Sequence, residues 1–197
     1  MKYCSIDIET TGLDPEKHNI VEFGCVIDDT DKPFEPISAL PSFHTYNVLD
    51  DYIGQPYALS MHSTIFKRIS DKDPAFNYSY NGKMGSEFFK FLKSNGFEEN
   101  EFGKIYVNCA GKNFGTFDLQ FLNRYTDIRD YRIKFRHRII DPSVLYFRYD
   151  DNELPDMEKC LERAGLRSTV SHTAIEDAKD VIRLIRRYNF PNINIFE

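Results

Sequence analysis

The 197-residue chain has no tryptophan and only four cysteines, at positions 4, 25, 109 and 160. No two of them stand at CxxC spacing, which argues against a zinc site. Three fall in apolar, strand-like runs, "KYCSI", "FGCVI" and "YVNCA", where a reduced cysteine behaves as a small hydrophobe. A disulfide-free, intracellular protein is expected. Long apolar runs are missing as well. None approaches the roughly 18–20 residues that span a bilayer, and the acid at position 7 breaks any leader-like start. A cytoplasmic chain with no membrane partner follows as the expectation. The third thing lacking is basic excess. A net charge of −6 argues against a large nonspecific DNA-binding surface. It leaves room for a small, deep site, where bound divalent metals would themselves bring positive charge.

What the chain does have is an early strand carrying acids on one face. In "SIDIETTGL" (5–13), alternation sends Cys4, Ile6 and Ile8 one way and Ser5, Asp7 and Glu9 the other. At about 3.3 Å per residue the two carboxylates stand roughly 6–7 Å apart. Two like charges in a partly desolvated place repel unless a cation lies between them.

The remaining pattern predicts one α/β domain over 1–197. Strands are expected at 3–9, 21–27, 43–49 and 105–110, the second and third paired as a hairpin, with a short fifth strand at 139–141. Helices are expected at 83–93, 116–125, after 141 through Tyr146, 156–164 and 173–188, the last opened by the capping-box pattern "TAIE". Strands first and strand–helix alternation afterwards make a mixed five-stranded sheet flanked by helices.

Two of these helices carry an acid on the apolar side. In the last one, Glu176, Lys179, Asp180, Arg183, Arg186 and Arg187 share a charged arc, while Ala178, Val181, Ile182, Leu184, Ile185 and Tyr188 share the opposite one. Asp177 falls inside the apolar arc, where a lone carboxylate is costly unless paired or bound to metal. In the helix after "GKNFGTFDLQFL", Asp118 projects from a face made by Phe117, Leu119, Phe121, Leu122 and Tyr125. Four carboxylates from three elements thus point toward the sheet, a ligand set suited to Mg²⁺ or Mn²⁺. His172 precedes the last helix, where the dipole favours a neutral imidazole able to take a proton from water. Each acid alone has an ordinary explanation: Asp118 and Asp177 lie in first helical turns, where acids are favoured without any chemistry, Asp7 reads as a strand-end acid and Glu9 as a solvated one. Jointly they do not.

These residues resemble the DEDDh family of 3′→5′ exonucleases, which have a ribonuclease H-like fold. The first family motif matches as "DIETTGL", the second as "NFGTFDLQFL" and the third as "HTAIEDA", in the family's order. The sister class with a tyrosine four residues before the last Asp does not fit, because position 173 is Thr. The resemblance implies two Mg²⁺ or Mn²⁺ ions per site, with Asp7 bridging them, Glu9 and Asp177 on one, and Asp118 orienting the other. It implies His172 as the base, and release of nucleoside 5′-monophosphates from single-stranded DNA or RNA. It also implies substrate roles: backbone groups near Thr10 and Thr11 at the 3′-hydroxyl, Leu13 wedged against a base, and Asn113 and Phe117 lining the pocket. The segment "ALSMHSTIFKRISD" (58–71) resembles the family's approach to the terminal nucleotide, placing His62 near substrate, with an ordinary surface histidine as the alternative.

Between the second and third motifs, "RYTDIRDYRIKFRHR" (124–138) holds Arg124, Arg129, Arg132, Lys134, Arg136 and Arg138 against Asp127 and Asp130, with Tyr125, Tyr131 and Phe135 interleaved. Cations for phosphates and aromatics for bases are what single-strand binding uses; a solvated face over core aromatics is the alternative. Two other function classes stay open at this level. One is a proofreading-type binding module acting mainly when docked on a polymerase, and the other a ribonuclease H-like endonuclease. A homodimer partner is equally compatible with the sequence.

Overall fold

The structure, a computed structural model, describes residues 1–125, 128–129, 132–166 and 173–192. Among these, one six-stranded mixed sheet runs in the order β4-β3-β2-β1-β5-β6. Its strands are β1 (Lys2–Thr10), β2 (Ile20–Asp29), β3 (Ser42–Val48), β4 (Tyr78–Tyr80), β5 (Ile105–Ala110) and β6 (Ile133–Ile140). β1, β2 and β3 pair antiparallel, while β4 joins β3, β5 joins β1, and β6 joins β5 in parallel. The helices are α1 (Pro56–Met61), α2 (Ser63–Asp71), α3 (Met84–Ser94), α4 (Asp118–Arg124), α5 (Pro142–Leu145), α6 (Met157–Arg163) and α7 (Ala174–Asn189).

The expected five strands become six, for local reasons. β4 has three residues, "YSY", too short to show a period. β6 runs eight residues instead of three because the polar residues at 134, 136, 137 and 138 hide its inward Ile133 and Phe135. The helices at 56–61 and 63–71, read from sequence only as a segment near substrate, were the other omission.

The alternation in β1 positions the two layers. Cys4, Ile6 and Ile8 pack under Phe23, Phe88, Leu92, Phe121 and Leu122 on one face, closed by α3 and α4. Tyr3 and Val26 meet Ala178, Val181, Ile182 and Ile185 of α7 on the other. Each such side chain buried contributes about 1.5–3 kcal/mol. β2 is buried along almost its whole length, as befits a strand covered on both faces. Gly24 makes the second layer possible. A Cβ there would lie 2.5 Å from the carbonyl carbon of Ala174, so only glycine lets the first turn of α7 rest directly on β2.

α7 departs from the expected split of charge in two places. Arg186 is 2% exposed and Asp180 is fully buried. Arg186 reaches Asp28 at the end of β2, with Nη2 2.6 Å from Oδ1 and Nε 3.2 Å from Oδ2, while the Tyr3 hydroxyl donates to Oδ2 at 2.6 Å. Asp180 accepts from Arg183 Nη1 at 2.5 Å. Both acids find cations, which is what permits their burial. Thr173 is the N-cap as expected, yet its side chain makes no capping bond. Its carbonyl instead accepts the Glu176 and Asp177 N–H groups.

The four cysteines are free and buried. Burial pushes the Cys4 and Cys109 thiols up and Cys160 to about 11, which keeps them from acting as nucleophiles. Among the described residues, no helix is long and apolar enough to cross a membrane.

Candidate active site

Asp7 and Glu9 leave β1 on the face that α7 covers, and the close approach at Gly24 brings Asp177, in the first turn of α7, down beside them. One carboxylate oxygen from each of Asp7, Glu9 and Asp177 lies within 4.8 Å of the other two. Asp118 arrives from the opposite side. It is the first residue of α4 and 3% exposed, and its Oδ1 accepts the Ile8 backbone N–H at 3.1 Å. That bond ties α4 to the middle of β1. All four carboxylates line one cleft of about 480 Å³ together with Asn113 and Phe117.

The electrostatics are those of crowded, desolvated acids. Burial, followed by the charges of Asp118, Glu9 and Asp177, pushes Asp7 well above the usual carboxylate range. Burial and then Glu22 and Asp177 raise Glu9 to about 8. Asp118 rises to about 7, chiefly through burial, with the Ile8 N–H pulling the other way. Such a group holds protons at neutral pH or exchanges them for a cation. The donors are all oxygens, which suit hard divalent ions, so the residues present fit the Mg²⁺ or Mn²⁺ implied by the sequence.

The remaining sequence-derived site residues are placed in different ways. Asn113 and Phe117 do line the cleft. Asn113 is held at φ 58, a left-handed conformation that Asn tolerates, with its N–H on Asp141 Oδ2 at 2.9 Å. Phe117 packs against Phe121, ring centroids 5.1 Å apart and planes tilted by 52°. Thr10 and Thr11, by contrast, bond to other parts of the protein. The Thr10 hydroxyl donates to Gly12 O at 2.8 Å, and the Thr11 hydroxyl donates to Ile53 O at 2.5 Å. The Thr11 N–H and carbonyl bond to Asn19 and Gln55, so Thr11 has its backbone engaged inside the protein. Leu13 is 72% exposed and touches no described core cluster. His62 is not a surface residue: it is 6% exposed, at the junction of α1 and α2, with Nε2 3.4 Å from Glu9 Oε2. His172 lies outside the described residues.

Three residues were missed. Glu22 stands opposite Glu9 in the β1–β2 register. It is fully buried, with Oε1 2.6 Å from His44 Nε2 and Oε2 without a hydrogen-bond partner. An acid inside the apolar run "IVEFGCVI" was the available signal. Asp141 N-caps α5, its Oδ1 accepting from Ser143, while Oδ2 holds the Asn113 loop. The Asp-Pro-Ser sequence there is an N-cap signal that points only to a helix start. Lys112 brings the one cation among the described cleft residues, and nothing in its sequence context distinguished it.

A family model for exonucleases, RNase_T, matches residues 4–185. Solved structures with the same fold include E. coli Exonuclease I in complex with a dT13 oligonucleotide, at 15% identity and TM-score 0.62, covering 96% of this chain and 41% of that one. S. pombe Pop2p in its Mg²⁺- and Mn²⁺-bound form is 14% identical, with TM-score 0.64 and coverage of 96% and 84%. The cell-death related nuclease CRN-4 is 13% identical, with TM-score 0.64 and coverage of 97% and 64%. This chain therefore spans about two fifths of the length of Exonuclease I. No curated protein sequence matches it.

Proposed function

The chain belongs to the RNase_T exonuclease family, and from that premise we propose that it is a metal-dependent 3′→5′ exonuclease releasing nucleoside 5′-monophosphates from single-stranded DNA or RNA. The observation that carries this reading is the convergence of Asp7, Glu9 and Asp177 within 4.8 Å, with Asp118 lining the same cleft. Asp7, Glu9 and Asp177 would hold one divalent ion, and Asp7 with Asp118 a second. The ions supply Lewis-acid charge that offsets the negative charge gathering on the phosphate during in-line displacement.

The rest is done by the chain itself. The Ile8 N–H and the Glu9–His62 contact hold two of the acids in place before any ligand arrives, so little reorganisation is left to the reaction. Asn113 and Phe117 form the wall against which the terminal sugar and base would rest, and Lys112 meets the phosphate. His172, five residues before Asp177 in the sequence, takes the proton of the attacking water. The oligonucleotide and the ions named with the fold's relatives, a dT13 strand on Exonuclease I and Mg²⁺ and Mn²⁺ on Pop2p, support the substrate and cofactor classes.

The test is digestion of 5′-labelled single-stranded DNA and RNA with Mg²⁺, Mn²⁺ or EDTA, using Asp7→Ala as control. A metal-dependent ladder shortening from the 3′ end, absent in the variant, is expected. Shortening from the 5′ end, or cleavage of a circular strand, would overturn the direction and the exonucleolytic mode respectively.

A further inference from the structure

β6 closes one edge of the sheet, and its pairing with β5 is interrupted in a specific way. Val107 faces Phe135 and Cys109 faces Ile139, so Arg136, His137 and Arg138 together stand against Asn108 alone. This is a bulge with two surplus residues on an edge strand. An unbroken strand would turn one of the three inward; here all three are exposed. Lys134 is exposed beside them, paired in register with Tyr106. Tyr106 is 45% exposed, and the Arg136 guanidinium sits 5.3 Å from its ring centroid.

These cations differ from the other basic residues of the same sequence segment. Arg124 pairs with Glu16 at 2.5 Å, and Arg132 approaches Glu99 at 3.9 Å. Lys134, Arg136 and Arg138 form no ion pair among the described residues. The interleaved aromatics differ too. Phe135 packs on Phe114 at 5.7 Å, and the Tyr125 hydroxyl bonds inside the core to Ile20 N and Asn47. Tyr131 lies outside the described residues. Stacking surface on this edge therefore comes from Tyr106, across the ladder. The strand also leads somewhere. Asp141 directly follows β6 and holds Asn113, which lines the cleft next to Lys112. Arg138 precedes Asp141 by three residues, roughly 10 Å of extended chain.

We propose that Lys134, Arg136 and Arg138, the exposed cations of β6, form a track for the phosphates of the single-stranded nucleic acid that trails from the cleft, with Tyr106 as a stacking platform. The proposal rests on the nuclease reading for its occupant. Uncompensated cations leading to an acidic site, in a chain of net charge −6, complement a polyanion. Strand alternation alone turns the three cations away from inward Ile133 and Phe135, and the bulge adds His137 to the exposed edge. The competing role for a charged, bulged edge is protection against edge-to-edge association.

The experiment compares the wild-type protein with K134Q/R136Q/R138Q. Anisotropy of a labelled strand of about 20 nucleotides is followed across a salt series, with both proteins also carrying Asp7→Asn to stop cleavage. Three lost phosphate contacts at about 0.7 each should flatten the slope of log affinity on log salt by about 2, with at least tenfold weaker binding near 0.1 M salt. Hydrolysis of a trinucleotide by the variant with native Asp7 should be unchanged. Unchanged long-strand affinity and slope overturn the track. So does an equal loss on the trinucleotide, which reports damage to the cleft, or self-association of the variant with binding intact, which assigns the edge to protection. If the wild type binds the long strand but cleaves nothing, the nuclease reading fails while the track stands.

Discussion

At the scale of single residues, the site is a set of acids held together against their mutual repulsion. Asp7→Asn removes a heavily disfavoured charge, since burial and four neighbouring acids (Asp118, Glu9, Asp177 and Glu22) all oppose it. Two opposite effects are expected from that one change. Metal-dependent hydrolysis should fall by about a thousandfold or more, because a carboxamide is a poor ligand for a hard cation. The metal-free protein should melt a few degrees higher at pH 9, about 2–4 °C per kcal/mol for a chain of this size. Activity assays and thermal melts in EDTA check the two halves separately. His62 gives a finer test. As the partner of Glu9 at 3.4 Å, His62→Ala should weaken metal affinity about 10–100-fold, the usual range for a group that orients a ligand. Titrating Mn²⁺ calorimetrically reads this without any substrate, and an unchanged affinity would remove His62 from the site.

At the scale of elements, one contact decides whether the site exists. Asp177 belongs to α7, and α7 reaches β1 only because Gly24 leaves room for Ala174. Gly24→Ala places a Cβ against backbone atoms that have nowhere to go. An overpacking cost of about 1–3 kcal/mol is expected in urea unfolding, accompanied by weaker metal binding as Asp177 is pushed off the cluster. Loss of stability with metal affinity intact would mean that the helix shifts without carrying Asp177. The far end of α7 is fastened differently, by the Arg186–Asp28 pair. Arg186→Ala should cost about 3–5 kcal/mol, since it strands a buried carboxylate, and should leave Mn²⁺ affinity unchanged.

At the scale of the whole molecule, stability is linked to pH through the cleft. Glu9 and Asp118 titrate in the folded protein near 8 and 7, above their unfolded values, so the folded state keeps protons that the unfolded chain has released. Stability of the metal-free protein is therefore full at low pH, falls as pH rises from the unfolded carboxylate range, and continues falling through about pH 8. Melting in EDTA should show a drop between pH 6 and pH 9, and saturating Mg²⁺ or Mn²⁺ should flatten it by taking the place of the protons. A flat profile in EDTA would show that the acids do not crowd as described.

Much of this molecule is written locally. The alternation of β1, the apolar faces of α3, α4 and α7, and the misplaced acids Asp118 and Asp177 depend only on the period of a strand or helix, which neighbouring residues carry. Asp7 and Glu9 stand out by the same alternation, whereas the motif set that includes His172 was legible through its resemblance to a family. Other features required the fold. Asp118 bonds to Ile8 across 110 residues of chain, and Arg186 to Asp28 across 158; no window of sequence contains either pair. Glu22 became part of the site through strand register, the burial of Arg186 came from a partner on another element, and His137 was turned out by a bulge that exists only relative to β5. Periodicity is a property of a segment, whereas partners, registers and close approaches are properties of the packed chain, and those are what turned scattered acids into one cleft.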